Sequence, residues 1–154
     1  MGSDMKRAFA MADITRKEEI FRQAVAVGRL KVRPSTINKI RRGEVEKGDP
    51  MAAAEIAAAL AAKATSQIIP LCHPIPITNM WTKARLHQDA IEVEASVSTS
   101  AKTGVEMEAL TAATVYLLTI WDMTKQYEKD RSGQYPITAI EYVKVKRKRK
   151  GEGR

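Results

Sequence analysis

The chain of 154 residues contains a single cysteine, Cys72. A lone thiol excludes an internal disulfide and an all-cysteine zinc site, and it fits a reducing compartment, so a cytoplasmic protein is expected. Long apolar runs are missing too. The two longest, Met51 to Ala62 and Ala109 to Trp121, are too short to span a bilayer, and Met1 to Ala12 lacks the apolar core of a secretory signal. Aromatic residues are only 5% of the chain, leaving few rings on which nucleic-acid bases could stack. No internal repeat and no collagen-like, coiled-coil or disulfide-rich bias is present. With 44% hydrophobic and 29% charged residues, the composition is that of one globular domain, long enough to bury roughly two-thirds of its unfolded surface.

The formal net charge is +8, but it is unevenly placed. Lys144, Lys146, Arg147, Lys148, Arg149 and Lys150 crowd six cations near the C-terminus, leaving the body close to neutral. The expected organisation is a flexible N-terminus over residues 1–12, a single domain over 13–143 and a solvated basic tail over 144–154. Contact with nucleic acid, or the gathering of an anionic substrate, is the other use of such a run.

Alternation from Glu19 to Val32 predicts a first strand. Pro34-Ser35-Thr36 opens a short helix that Gly43 ends, and Asp49 before Pro50 is placed to cap an alanine-rich helix from Met51 to Ala64. That many alanines imply burial against a sheet or a second helix. The segment Ile68 to Pro76 carries three prolines and must be an extended loop. Thr82 to Leu86 and Ala90 to Ser98 read as a hairpin around His87-Gln88-Asp89. A long helix follows from Gly104 to about Lys129, stopped by Gly133, and Tyr135 to Val145 supplies the last strand. This order implies an α+β fold: an antiparallel sheet with helices on one face, ferredoxin-like with an extra helix.

Several residues could carry chemistry. His73 sits in the proline-braced loop beside Cys72, where a stiff backbone suits an orienting or proton-transferring ring, although a packed structural histidine and a buried, unreactive cysteine are the commoner fates. His73, His87 and Cys72 lack the spacing of a zinc site. Lys102-Thr103-Gly104 before the long helix could cradle a phosphate, without the full frame of a nucleotide-binding loop. At 100° per residue, Glu108, Asp122 and Lys125 fall toward one face of that helix, and Glu106 points nearly the other way. Asp122 and Lys125 can pair as a buried acid/base couple or as an ordinary surface ion pair. Glu108 and Asp122 are 14 residues apart, about 21 Å along a straight helix, so a site using both needs a broken helix or a second subunit. Lys47, in a glycine-containing loop, could serve a substrate phosphate or act as a general acid, and Arg22 on the first strand could reach a phosphate or make a cross-strand pair.

Lys47-Gly48-Asp49, Ile69-Pro70-Leu71-Cys72-His73-Pro74, Lys102 through Ala113, and Asp122-Met123 followed by Lys125 resemble, in that order and at these distances, the molybdenum cofactor biosynthesis protein C family, the cyclic pyranopterin monophosphate synthases. The resemblance runs from about Asp13 to Tyr142. It implies a phosphorus-oxygen lyase that converts a GTP-derived substrate, 3′,8-cyclo-7,8-dihydroguanosine 5′-triphosphate, to cyclic pyranopterin monophosphate and pyrophosphate. It implies no redox cofactor and leaves a role for Mg²⁺ open. By the same resemblance Leu71, Cys72, His73, Met107 and Glu108 contact substrate, and Asp122, Lys125 and Lys47 serve catalysis. His73 would orient substrate rather than attack it. A homo-oligomer is implied, a hexamer built as a trimer of dimers with interface sites, and neither membrane nor nucleic acid is expected as a partner. Ala12 and the very basic C-terminal run depart from the family pattern. A nucleic-acid-binding protein and a non-catalytic relative of the same fold are the competing readings.

Overall fold

Alternation and proline placement largely decide where the elements fall. The computed structural model describes residues 9–151, and most of the expected flexible N-terminus, together with residues 152–154, lies outside the described residues. The elements are β1 Ile20–Lys31, α1 Pro34–Arg42, α2 Pro50–Ile68, β2 Asn79–Leu86, β3 Ala90–Ala101, α3 Glu106–Glu128 and β4 Ala139–Lys150. The strands form one sheet in the order β2-β3-β1-β4, with every neighbouring pair antiparallel. The class is α+β as expected, and the strand order fits a ferredoxin-like arrangement carrying an additional helix.

One face of the sheet is apolar. Ala24, Ala26 and Leu30 of β1 join Ile91, Val93, Ala95 and Val97 of β3 in a core completed by Tyr116, Leu117 and Ile120 of α3. The small residues let α3 lie close. A Cβ on Gly28 would come 2.8 Å from Leu117 Cδ1, so a larger residue here would force Leu117 to shift. The alanines of α2 pack chiefly on α3 rather than on the sheet, with Ala54, Ala58 and Ala62 wholly buried between the helices. Asp49 caps α2 as its sequence suggests, its Oδ1 accepting from the Met51 and Ala52 amides.

The other face mixes charged residues with apolar ones such as Val25, Val27 and Trp81. Arg29 pairs with Glu141 at 3.0 Å, Lys146 with Glu94, and the Tyr142 hydroxyl donates to Glu92 at 3.3 Å. Trp81 and Tyr142 share this face with the ion pairs.

Element bounds differ from the sequence reading at several places, among them β4, which starts at Ala139 rather than Tyr135, and β3, which runs on to Ala101. α2 runs on to Ile68, its extra turn including Thr65, whose hydroxyl bonds back to the Ala61 carbonyl at 2.9 Å. β2 starts three residues earlier, at Asn79, because it continues the pairing of β3 as far as Ser98. α3 ends at Glu128, and Gly133 belongs instead to a following turn in which Asp130 Oδ1 accepts from the Ser132 and Gln134 amides. The basic run Lys144 to Lys150, read as a solvated tail, is the second half of β4 and pairs with β1 from Val27 back to Arg22. The long β1 has a free edge for it to cover, and lysines on the outermost strand then oppose edge-to-edge association.

Candidate functional site

The candidate residues gather into two clusters at opposite ends of α3. The first begins where α2 stops. Pro70 cannot continue a helix, so the chain leaves α2 at Ile69, makes one turn with the Cys72 amide donating to the Ile69 carbonyl at 3.1 Å, and runs on extended. Thr99 of β3 holds the far end of this loop through its hydroxyl to the Pro76 carbonyl, 2.5 Å. The loop thereby lies against the first turn of α3. Cys72 Sγ comes within 3.7 Å of Glu108 Oε1, and Leu71, Cys72, His73, Thr103, Gly104 and Met107 line an open cavity of about 340 Å³. His73 Nε2 is 2.8 Å from the Ala12 carbonyl, which can only accept, so the ring proton sits on Nε2.

Glu108 is the unusual member of this cluster. It is only 3% exposed, and its Oε2 has no hydrogen-bond partner. Burial pushes its carboxyl above the ordinary glutamate range. Burial, then the neighbouring Glu108, likewise pushes the Cys72 thiol up, which makes it a poor nucleophile near neutral pH. A buried carboxylate with a spare oxygen is a recognition group for a ligand that brings its own N–H donors.

Beside this cavity lies a second of about 460 Å³, sharing Thr103, Gly104 and Glu106 with it and ringed by Lys17, Arg22, Lys148 and Lys150. Arg22 donates to the Ala101 and Lys102 carbonyls at 3.2 and 3.3 Å, so it braces the turn before α3 while lining the cavity. Lys148 pairs with Glu106 at 3.0 Å. Sequence reasoning did not place Lys148 and Lys150 at this cavity, and it missed Lys17. For the first two the available signal was that Val145 interrupts the basic run in strand fashion.

The second cluster is at the other end of α3. Lys125 Nζ lies 2.8 Å from Asp122 Oδ1, and Lys47 Nζ reaches in from the loop between α1 and α2, 3.5 Å from Asp122 Oδ2 and 3.2 Å from the Asp122 carbonyl. Lys125 foremost, then Lys47, holds the Asp122 carboxyl below the usual range, and Asp122 in return raises the Lys125 ammonium. The buried couple expected from the sequence is thus exposed in this chain, with 59% of the Asp122 side chain and 41% of Lys125 open to solvent. Among the described residues, Lys47 and, against Trp121, Tyr135 come to that turn of the helix, and the Asp122 carboxylate stays largely open to solvent. Next to it, Leu118 and Trp121 make an apolar hollow with the two charged residues.

Five residues read as substrate contacts therefore come together, and three read as catalytic come together, but the two groups do not meet. Fourteen residues of helix separate Glu108 from Asp122, about 21 Å. The shared face also needs correction: Lys125 is turned about 100° from Glu108 at the regular helical pitch. Among the described residues, no group of three or more His, Cys, Asp or Glu side chains is gathered to hold a metal ion. No helix among the described residues is long and apolar enough to cross a membrane.

Comparison with known proteins points one way. The sequence model of the MoaC family matches residues 11–151. A "probable cyclic pyranopterin monophosphate synthase" of Aeropyrum pernix is 52% identical over 141 residues, covering 92% of this chain and 97% of the relative. Proteins of the same description from Pyrococcus furiosus and Sulfolobus acidocaldarius are 50% and 47% identical, covering 96% and 93% of this chain and 94% and 100% of theirs.

Proposed function

The chain belongs to the MoaC family, and on that premise we propose that it is a cyclic pyranopterin monophosphate synthase of molybdenum cofactor biosynthesis. As a phosphorus-oxygen lyase it would convert 3′,8-cyclo-7,8-dihydroguanosine 5′-triphosphate to cyclic pyranopterin monophosphate and pyrophosphate. The observation that carries this reading is the convergence of Lys47, from one segment, on Asp122 and Lys125 from another. Opening the purine-derived ring requires proton transfers, and Asp122 holds two proton-bearing ammonium groups, Lys47 and Lys125, at a fixed place. Expelling pyrophosphate as the cyclic phosphodiester forms requires positive charge on the departing oxygens, which the same lysines and the basic cavity beside Arg22 supply. At the other end, the spare Glu108 oxygen accepts from the ring N–H groups, and His73 and Leu71 set the ring's orientation.

One substrate cannot span two clusters on one helix, so the reading includes a homo-oligomer in which a second copy brings its lysine cluster to the Glu108 cavity of the first. The exposed surface around Asp122 and the apolar hollow of Leu118 and Trp121 support that pairing. A hexamer built from three such dimers, in the cytoplasm where the lone Cys72 stays reduced, completes the proposal. Incubating purified protein with the cyclised nucleotide and assaying pyrophosphate and pterin tests it. Both products should form, and a folded protein that forms neither would refute the assignment.

A further inference from the structure

The loop between α1 and α2, residues 44–49, must bring Lys47 to the flank of α3 and hold it there. Local devices shape the loop. Gly43 closes α1, Asp49 caps α2, and Gly48, at φ 115°, turns back so that its amide donates to the Val45 carbonyl at 3.1 Å. None of these ties the loop to α3. The ion pair between Lys47 and Asp122 is exposed on both sides, and such pairs hold long side chains only weakly.

The tie is made by Tyr127. The Glu46 amide, one residue before Lys47, donates to the Tyr127 hydroxyl at 2.9 Å, and among the described residues it is the one backbone group of this loop bonded to α3. The Tyr127 ring also lies under the Lys39 ammonium, 4.9 Å from its centroid, so the last turn of α1 rests on the same side chain. Gln126 adds an exposed contact to the Glu46 carboxylate at 3.2 Å. The neighbouring Glu128 fixes the frame. Fully buried, it accepts from the Arg33 amide at 3.0 Å, the Thr138 hydroxyl at 2.7 Å and the Thr36 hydroxyl, joining the start of α1 to the end of α3.

We infer that Tyr127 is a positioning residue: by fixing the Glu46 amide, its hydroxyl holds the Lys47 ammonium at the Asp122 and Lys125 pair. The inference rests on the role given to Lys47 in the proposed function. It goes beyond that role, because Tyr127 touches no reacting group and acts only through the loop.

Tyr127→Phe deletes the hydroxyl and keeps the ring for Lys39. Two readouts on the full chain are needed, amide exchange at Glu46 and steady-state turnover of the cyclised nucleotide. Glu46 exchange should quicken and kcat fall, each about five-fold, with KM and the thermal midpoint unchanged. Tyr142→Phe, which removes a hydroxyl bond on the far face of the sheet, should leave kcat as it is. Unchanged exchange at Glu46 would overturn the inference, as would quickened exchange with unchanged kcat. If the wild-type protein turns over nothing, the proposed function has failed, and the exchange measurement by itself decides whether Tyr127 holds the loop.

Discussion

The two ends of α3 carry the same kind of group in opposite surroundings. Glu108, in the first turn, is sealed under the Cys72 loop, 3% exposed, with its carboxyl pushed up. Asp122, near the last turn and only about 40° round the helix, stands open between two lysines with its carboxyl pulled down. Sequence spacing makes these two acids near equivalents, and what packs over them makes them different. A desolvated carboxylate with a spare lone pair suits recognition, and an ion-paired one within reach of two ammonium groups suits proton and charge transfer.

Removing either lysine is the strongest way to break the comparison. Lys47→Ala and Lys125→Ala should each lower kcat/KM by about 100- to 10,000-fold, the usual worth of a proton-transferring group. Both side chains are more than 40% exposed, so the thermal midpoint should move little. Glu108→Gln comes next, with an expected loss of about 10- to 100-fold in kcat/KM from replacing a charged acceptor. Its effect on stability should have the opposite sign. A glutamate whose folded pKa is raised makes the fold less stable as pH rises through the interval from its unfolded to its folded value. Glu108→Gln should therefore unfold at a higher temperature than wild type near pH 7 and lose that advantage below about pH 4. For Asp122 the sign reverses, because a lowered pKa contributes stability above the unfolded value and loses it as pH falls. The contribution is exposed and should fade with added salt. The smallest effect concerns Cys72, whose alkylation at pH 8 should be slower than that of a free thiol. Glu108→Gln should quicken it by only about two- to three-fold, since burial, the first cause of the shift, remains.

What could be read from the sequence was what depends on neighbours in the chain. The strand period of β1, the proline that opens α1, the Asp49 cap and the helix-breaking prolines of the Cys72 loop all act within a few residues. The membership of each cluster was also readable, through the family resemblance. What depends on distant partners was not. The basic run looks like a tail until β1 is seen to need an edge partner, since its pairing reaches back to Arg22. The difference between Glu108 and Asp122 is set by a loop 36 residues away from Glu108, and no helical wheel contains it. Tyr127 escaped for the same reason, its bond to Glu46 joining residues 81 apart.

The central claim is that one working site takes its Glu108 end from one copy and its lysine end from another. Co-expressing Glu108→Gln chains with Lys125→Ala chains tests it directly, because a mixed dimer then contains one site with both changes and one with neither. The mixture should recover about a quarter of wild-type turnover, well above either parent. A mixture no more active than the mean of its parents would show that both ends act within a single chain, and would contradict the account.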